Sequence, residues 1–225
     1  MGHADVSAVE LVLFDLDGTL IDSAPDLAGA ANDLLALHGR PPMPEAVLRP
    51  MVGAGARGMV GLAFGARPGD PGFDELRSAF LERYEQRMLR LTKVFDEVEP
   101  VLAALEARGV RWGVVTNKAL RFAEPIAQAL GLAERAAVVI GGDSTPHAKP
   151  HPEPLFEAAR RARAEPARSV YVGDDIRDIQ AGRAAGMATA AAAWGYLGLG
   201  EPVHAWGADT VLQQPAELLN WLQLA

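Results

Sequence analysis

The chain has 225 residues, 49% hydrophobic and 22% charged, with a formal net charge of −8 and no cysteine. That length can bury a substantial core, while the acidic balance excludes a broad basic footprint for nucleic acid. Without cysteine there is no disulfide framework, zinc-thiolate site or thiol nucleophile, and no apolar run approaches the roughly 20 residues of a membrane span.

Residues 1–8 read as a frayed lead-in without the basic-then-apolar order of a secretory signal, so a cytoplasmic enzyme is expected. Leu11-Val12-Leu13-Phe14 follows, four apolar residues with no polar alternation, the pattern of a strand buried on both faces. Asp15 and Asp17 leave its end, and Gly18 lets the chain turn away. Pro25 suits the start of a helix carrying Leu27, Ala31, Leu34 and Leu35, which stops near Gly39. A second helix is expected after Pro44 and a third over 57–64. Phe73, Leu76, Phe80, Tyr84, Met88 and Leu91 form one stripe, which predicts a packed helix over 73–91. No convincing strand lies between Pro25 and Leu91, so this segment reads as a small helical insertion.

From Glu97 the rhythm changes to strands alternating with helices of about ten residues. Strands are predicted over 110–115, 137–140, 170–172, 188–194 and 210–212. A helix carrying Val98, Val101, Leu102 and Leu105 and stopping at Gly109 precedes them, and the others span 120–130, 152–163, 175–185 and 215–224, with Pro125 kinking or dividing the first of these. The aromatics Trp194, Tyr196, Trp206 and Trp221 serve either a core or an interface. Such alternation predicts an α/β fold, a doubly wound parallel sheet with right-handed crossovers that binds ligands beyond the carboxyl ends of its strands. Those ends carry Asp15 and Asp17, Thr116 and Asn117, and Gly173-Asp174-Asp175, with Lys149 on a loop before the next helix.

The residue types narrow the chemistry. Asp15, Asp17, Asp174, Asp175 and Asp178 concentrate negative charge and offer the oxygen ligands that Mg²⁺ prefers. Thr116 supplies a hydroxyl, Asn117 an amide and Lys149 a positive charge, a set that suits a tetrahedral oxyanion such as phosphate. One aspartate can then attack phosphorus while a second serves as acid and base.

Phe14-Asp15-Leu16-Asp17-Gly18-Thr19 resembles the first motif of the haloacid dehalogenase superfamily. Thr116-Asn117 resembles the second, Lys149-Pro150 the third, and Gly173-Asp174-Asp175 with Asp178 the acidic fourth. The motifs occur in family order and span essentially the whole chain. The resemblance implies a Rossmann-like core over 1–23 and 93–225 and an all-helical cap over 24–92. It also implies a nucleophilic Asp15 that ligates Mg²⁺, with Asp17 as general acid and base and its carbonyl on the metal. Thr116 and the Asn117 amide would bind the phosphoryl group, Lys149 would offset its charge, and Asp174 would be a direct metal ligand. Asp175 and Asp178 either orient the metal or its waters, or serve as acids at a helix N-terminus.

Within the capped branch the chain resembles phosphoglycolate phosphatases in Thr116-Asn117-Lys118 and Gly173-Asp174-Asp175. It is also similar to N-acetylmuramic acid 6-phosphate phosphatases in Arg121 to Ile126, Leu130 to Arg135 and Trp206 to Asp209. Ala119 stands where a proline is common, and His151 where an acid is common. In the cap, the glycine-rich stretch 52–58 either brings Arg57 to a substrate carboxylate or forms a helix–helix loop with an exposed arginine. The expected activity is hydrolysis of a small phosphate ester by a monomer or homodimer, with no nucleic-acid or membrane partner. A haloacid dehalogenase needs no acid at position 17, whereas a phosphosugar mutase keeps both acids and is separated by release of inorganic phosphate. A regulatory protein with a dead site would be expected to lack some of these groups.

Overall fold

The structure is a computed structural model that describes residues 9–224; the lead-in expected over 1–8 lies outside the described residues. In chain order the first elements are β1 (Leu11–Phe14), β2 (Ile21–Asp22), α1 (Ala24–Leu37) and α2 (Glu45–Leu48). A 3₁₀ segment over Arg49–Ala54 leads into α3 (Gly55–Phe64), α4 (Phe73–Glu85) and β3 (Lys93–Val94). Then come α5 (Glu99–Ala107), β4 (Arg111–Val115), α6 (Leu120–Ala129), β5 (Val139–Ile140) and α7 (Glu153–Ala162). The chain closes with β6 (Ser169–Gly173), α8 (Ile176–Ala184), β7 (Ala188–Ala192), β8 (Thr210–Leu212) and α9 (Glu217–Trp221).

Six strands form one parallel sheet in the order β5-β4-β1-β6-β7-β8. β1 lies between β4 and β6, with Phe14 in register with Val114 and Val172. All four of its residues are buried. Val12 and Phe14 enter one core cluster and Leu11 and Leu13 the other, which is why the sequence shows no polar alternation there. The parallel α/β sheet is the architecture that the alternating pattern predicts. Trp112 and Tyr171 fill the sheet's two faces, while Tyr196 and Trp206 are also buried.

Two local expectations are corrected and one short strand pair is added. α6 runs unbroken through Pro125. β2 and β3, unmarked in the sequence, form a two-residue antiparallel pair where the chain leaves the main sheet and returns to it. The helix expected over 73–91 ends at Glu85, and Leu91 is exposed. The cause is Asp26, a fully buried carboxylate on α1 whose Oδ2 accepts hydrogen bonds from Leu91 N (2.9 Å), Thr92 N (2.8 Å) and Thr92 Oγ1 (2.8 Å). Three bonds to one buried carboxyl group outweigh another turn of helix and steer the chain into β3.

Asp26→Ala should therefore destabilise the protein by about 3 kcal/mol, since it strands buried donors. Urea unfolding checks this through a lower midpoint at unchanged slope. A loss below about 1 kcal/mol would remove Asp26 as the anchor.

Candidate active site

The carboxyl end of β1 sets the site. Asp15 N donates to Val172 O at 2.9 Å, so the ladder holds the backbone of Asp15 while its side chain leaves the sheet. Lys149 reaches the same point from the loop after β5. Its Nζ lies 2.9 Å from Asp15 Oδ1 and 2.7 Å from Asp178 Oδ1, and it donates to Tyr171 Oη (2.7 Å) and Val115 O (3.1 Å). Burial works against the lysine's charge, but Asp15 and Asp178 outweigh it and hold its pKa above the ordinary value.

Side-chain oxygens of Asp15, Asp174 and Asp178 lie within 4.8 Å of one another. Asp174 is buried, and burial together with the Asp15 and Asp178 charges pushes its pKa well above the usual carboxylate range. Asp178 is pushed up to about 7 by burial, with the Lys149 charge pulling the other way. Three clustered carboxylates, two of them paired with one buried lysine, form an all-oxygen donor set that fits a hard divalent cation.

Asp174 is tightly enclosed. Its Oδ1 accepts from Thr19 Oγ1 (2.9 Å) and its Oδ2 from Tyr196 N (2.8 Å). A Cβ on Gly18 or Gly195 would overlap its carboxylate, and Gly18 also holds a φ of +85°. Asp175 is spent at the start of α8, where it accepts from Arg177 N (2.9 Å) and pairs with the Arg177 guanidinium (2.7 Å). Asp178 completes the reciprocal cap by accepting from Asp175 N at 3.1 Å. Asp178 thus belongs to both the helix cap and the charge cluster, whereas Asp175 serves the cap.

The other residues singled out from the sequence fall around this cluster in different ways. Thr116 is buried at the end of β4, where its hydroxyl accepts from Lys118 N at 3.1 Å. Asn117 turns its side chain to the Lys149 backbone, donating to Lys149 O and accepting from Lys149 N, both at 2.9 Å. That amide holds the lysine loop, which leaves only the main chain of Asn117 to face an anion. Asp17 is not one of the three clustered carboxylates. It accepts from Ser23 Oγ (2.5 Å), and both its oxygens lie 2.9 Å from Lys118 Nζ. Arg57 is exposed on the first turn of α3 and has no ion pair or hydrogen bond among the described residues.

Two further residues enter the site without having been singled out for it. Lys118 Nζ is 4.7 Å from the ring centroid of Tyr84 on α4, and the Asp17 charge raises its pKa against the burial penalty. The only hint was its place beside Thr116-Asn117. Tyr196 accepts at its hydroxyl from Ser23 N (2.9 Å) and Ala24 N (3.0 Å) and donates to Asp22 Oδ1 (3.0 Å). Among four late aromatics its sequence position carried no such signal.

A carboxylate at a strand end, a lysine buried against it and a cation-fitting cluster thus meet at the carboxyl edge of the sheet. The chain belongs to the haloacid dehalogenase-like hydrolases, whose family model matches residues 9–186. It is 45% identical over 218 residues to the N-acetylmuramic acid 6-phosphate phosphatase of Pseudomonas aeruginosa, covering 96% of each chain. It is 47% identical over 209 residues to the phosphoglycolate phosphatase of Xylella fastidiosa strain Temecula1, covering 91% of this chain and 89% of that one. Among solved structures, a predicted phosphoglycolate phosphatase from Haemophilus somnus superposes with a TM-score of 0.83 at 29% identity, covering 95% of this chain and 97% of that one.

Gly195→Ala tests how far Asp174 depends on its enclosure. The variant should weaken divalent-cation binding about 10- to 100-fold in a calorimetric titration. Unchanged affinity in a folded variant would contradict the packing argument.

Proposed function

We propose that the chain is a Mg²⁺-dependent phosphomonoesterase working in the cytoplasm through an aspartyl-phosphate on Asp15. The observation that carries this reading is Lys149 Nζ buried 2.9 Å from Asp15 Oδ1, beside two further carboxylates. Asp15 and Asp174, with the main-chain carbonyl of Asp17, would hold Mg²⁺, which when bound supplies positive charge to the phosphoryl oxygens.

A carboxylate oxygen of Asp15 forms a bond to phosphorus as the bond from phosphorus to the ester oxygen breaks. Asp17 gives its proton to that leaving oxygen and afterwards takes one from the water that attacks phosphorus, releasing inorganic phosphate and freeing Asp15. Lys149, the Thr116 hydroxyl and the Asn117 main chain hold the phosphoryl oxygens during both transfers. Lys118 and Ser23 keep Asp17 oriented in the resting protein. An anionic substrate entering between Asp17 and Tyr84 would draw the Lys118 charge to itself and free Asp17 to carry a proton.

Residues 24–92 act as a cap in this reading. The link is visible at Gly53, whose carbonyl accepts from Arg177 Nη2, and at Arg49, 2.8 Å from Asp22 Oδ2. Closure over the site would exclude water until substrate is bound. Arg57, with no partner among the described residues, is then free to read a second anionic group on the substrate.

The substrate reading is 2-phosphoglycolate, with N-acetylmuramic acid 6-phosphate as the alternative. The first reading is supported by a relative of that name 47% identical over 91% of this chain, and the alternative by one 45% identical over 96% of this chain. Both esters carry a carboxylate, and they differ greatly in bulk. Phosphate release with Mg²⁺ is expected from one of them well above p-nitrophenyl phosphate; release from neither would overturn the reading. Arg57→Ala should lower kcat/KM for the carboxylate-bearing ester about ten- to a hundredfold and leave p-nitrophenyl phosphate within about twofold. Equal losses on both would reject Arg57 as the carboxylate reader.

A further inference from the structure

A second group of potential metal ligands lies outside the acidic cluster, on the loop between β5 and α7. His147, His151 and Glu153 bring side-chain donor atoms within 4.8 Å of one another. His147 Nδ1 is 2.7 Å from Glu153 Oε2, and His151 Nδ1 is 3.9 Å from the same oxygen. A tetrahedral ion with bonds of 2.0–2.1 Å needs ligands about 3.3 Å apart. The two histidine-to-carboxylate separations bracket that value.

The supporting backbone is well defined. Glu153 is the first residue of α7, and its N–H donates to His151 Nδ1 at 3.2 Å, a bond that an ion held at that nitrogen would replace. His151 N donates to Ala148 O at 3.0 Å, and Thr145 Oγ1 donates to His147 O at 2.7 Å. The two imidazoles stack with centroids 4.4 Å apart and planes 27° from parallel. All three side chains reach solvent, which leaves room for water to complete the coordination.

We propose that His147, His151 and Glu153 form a binding site for a transition-metal dication of the Zn²⁺ class. Two imidazoles and one carboxylate suit Zn²⁺, Ni²⁺ or Cu²⁺, whereas the all-carboxylate cluster at Asp15 suits a hard ion. The chain therefore holds two cation sites of different chemistry. The new site has a structural consequence, because His147 and His151 flank Ala148-Lys149-Pro150. An ion held by both histidines and Glu153 ties together the two shoulders of the turn whose centre is the lysine paired with Asp15 and Asp178. The inference is independent of which ester the enzyme hydrolyses.

The test is a Zn²⁺ titration of the full chain in saturating Mg²⁺, compared with His147→Ala, His151→Ala and the double variant. The intact chain should bind one more Zn²⁺ than the double variant, and each single variant should weaken that step by at least about tenfold. Substituting Co²⁺ should give the visible absorption of a nitrogen- and oxygen-ligated ion in the intact chain and lose it in the double variant. Mg²⁺-supported turnover without Zn²⁺ should be the same in all four proteins, which also shows that the variants fold. Identical Zn²⁺ stoichiometry and affinity in the intact chain and the double variant would overturn the proposal.

Discussion

The structure depends on one buried charge arrangement: the Lys149 ammonium held between Asp15 and Asp178 at the carboxyl edge of the sheet. Removing these charges from water is costly, and the cost is offset only by close geometry and full hydrogen bonding. The fold supplies the close geometry. β1 delivers Asp15 between two neighbouring strands, and the Asn117 side chain fixes the backbone of Lys149. The cap of α8 fixes Asp178, and Tyr171 bridges the lysine to the end of β4. Removal of any one charge would leave its partners buried without compensation, so the arrangement behaves as a unit.

That unit is coupled to the helices over 24–92 through a short chain of contacts. Asp174 accepts from Tyr196 N, and the Tyr196 hydroxyl holds Ser23 N, Ala24 N and Asp22 where α1 begins. Asp22 in turn pairs with Arg49, whose guanidinium lies 5.5 Å from the Tyr196 ring centroid. On the other side Lys118 spans from Asp17 to the Tyr84 ring on α4. The position of the helical segment and the orientation of the acidic groups are thus set by the same few side chains. In the proposed mechanism this lets substrate binding and the positioning of Asp17 proceed together.

Much of this was legible in the sequence because burial and chemistry left local marks. An uninterrupted apolar run revealed β1, and acids, a threonine and a glycine at strand ends revealed the edge that matters. What could not be read depends on partners far along the chain. The end of α4 is decided by Asp26, 65 residues before Leu91, against the apolar stripe that argues for a longer helix. Asn117 reads as an anion ligand, yet its side chain closes on Lys149, 32 residues away. Lys118 and Tyr196 acquire their roles from Asp17, Tyr84 and the residues at the start of α1, all far from them in the chain. Motif spacing locates groups on an edge, but the direction of each side chain is a tertiary property.

The central claim is that Asp15 itself accepts the phosphoryl group. The most direct measurement is to quench the enzyme during turnover of its phosphate ester, reduce it with borohydride and map the peptides by mass spectrometry. An acyl phosphate is reduced to an alcohol, so the account predicts homoserine at position 15 and unmodified aspartate at positions 17, 174 and 178. An unreduced Asp15 in enzyme caught releasing phosphate, or reduction at another carboxylate, would contradict it.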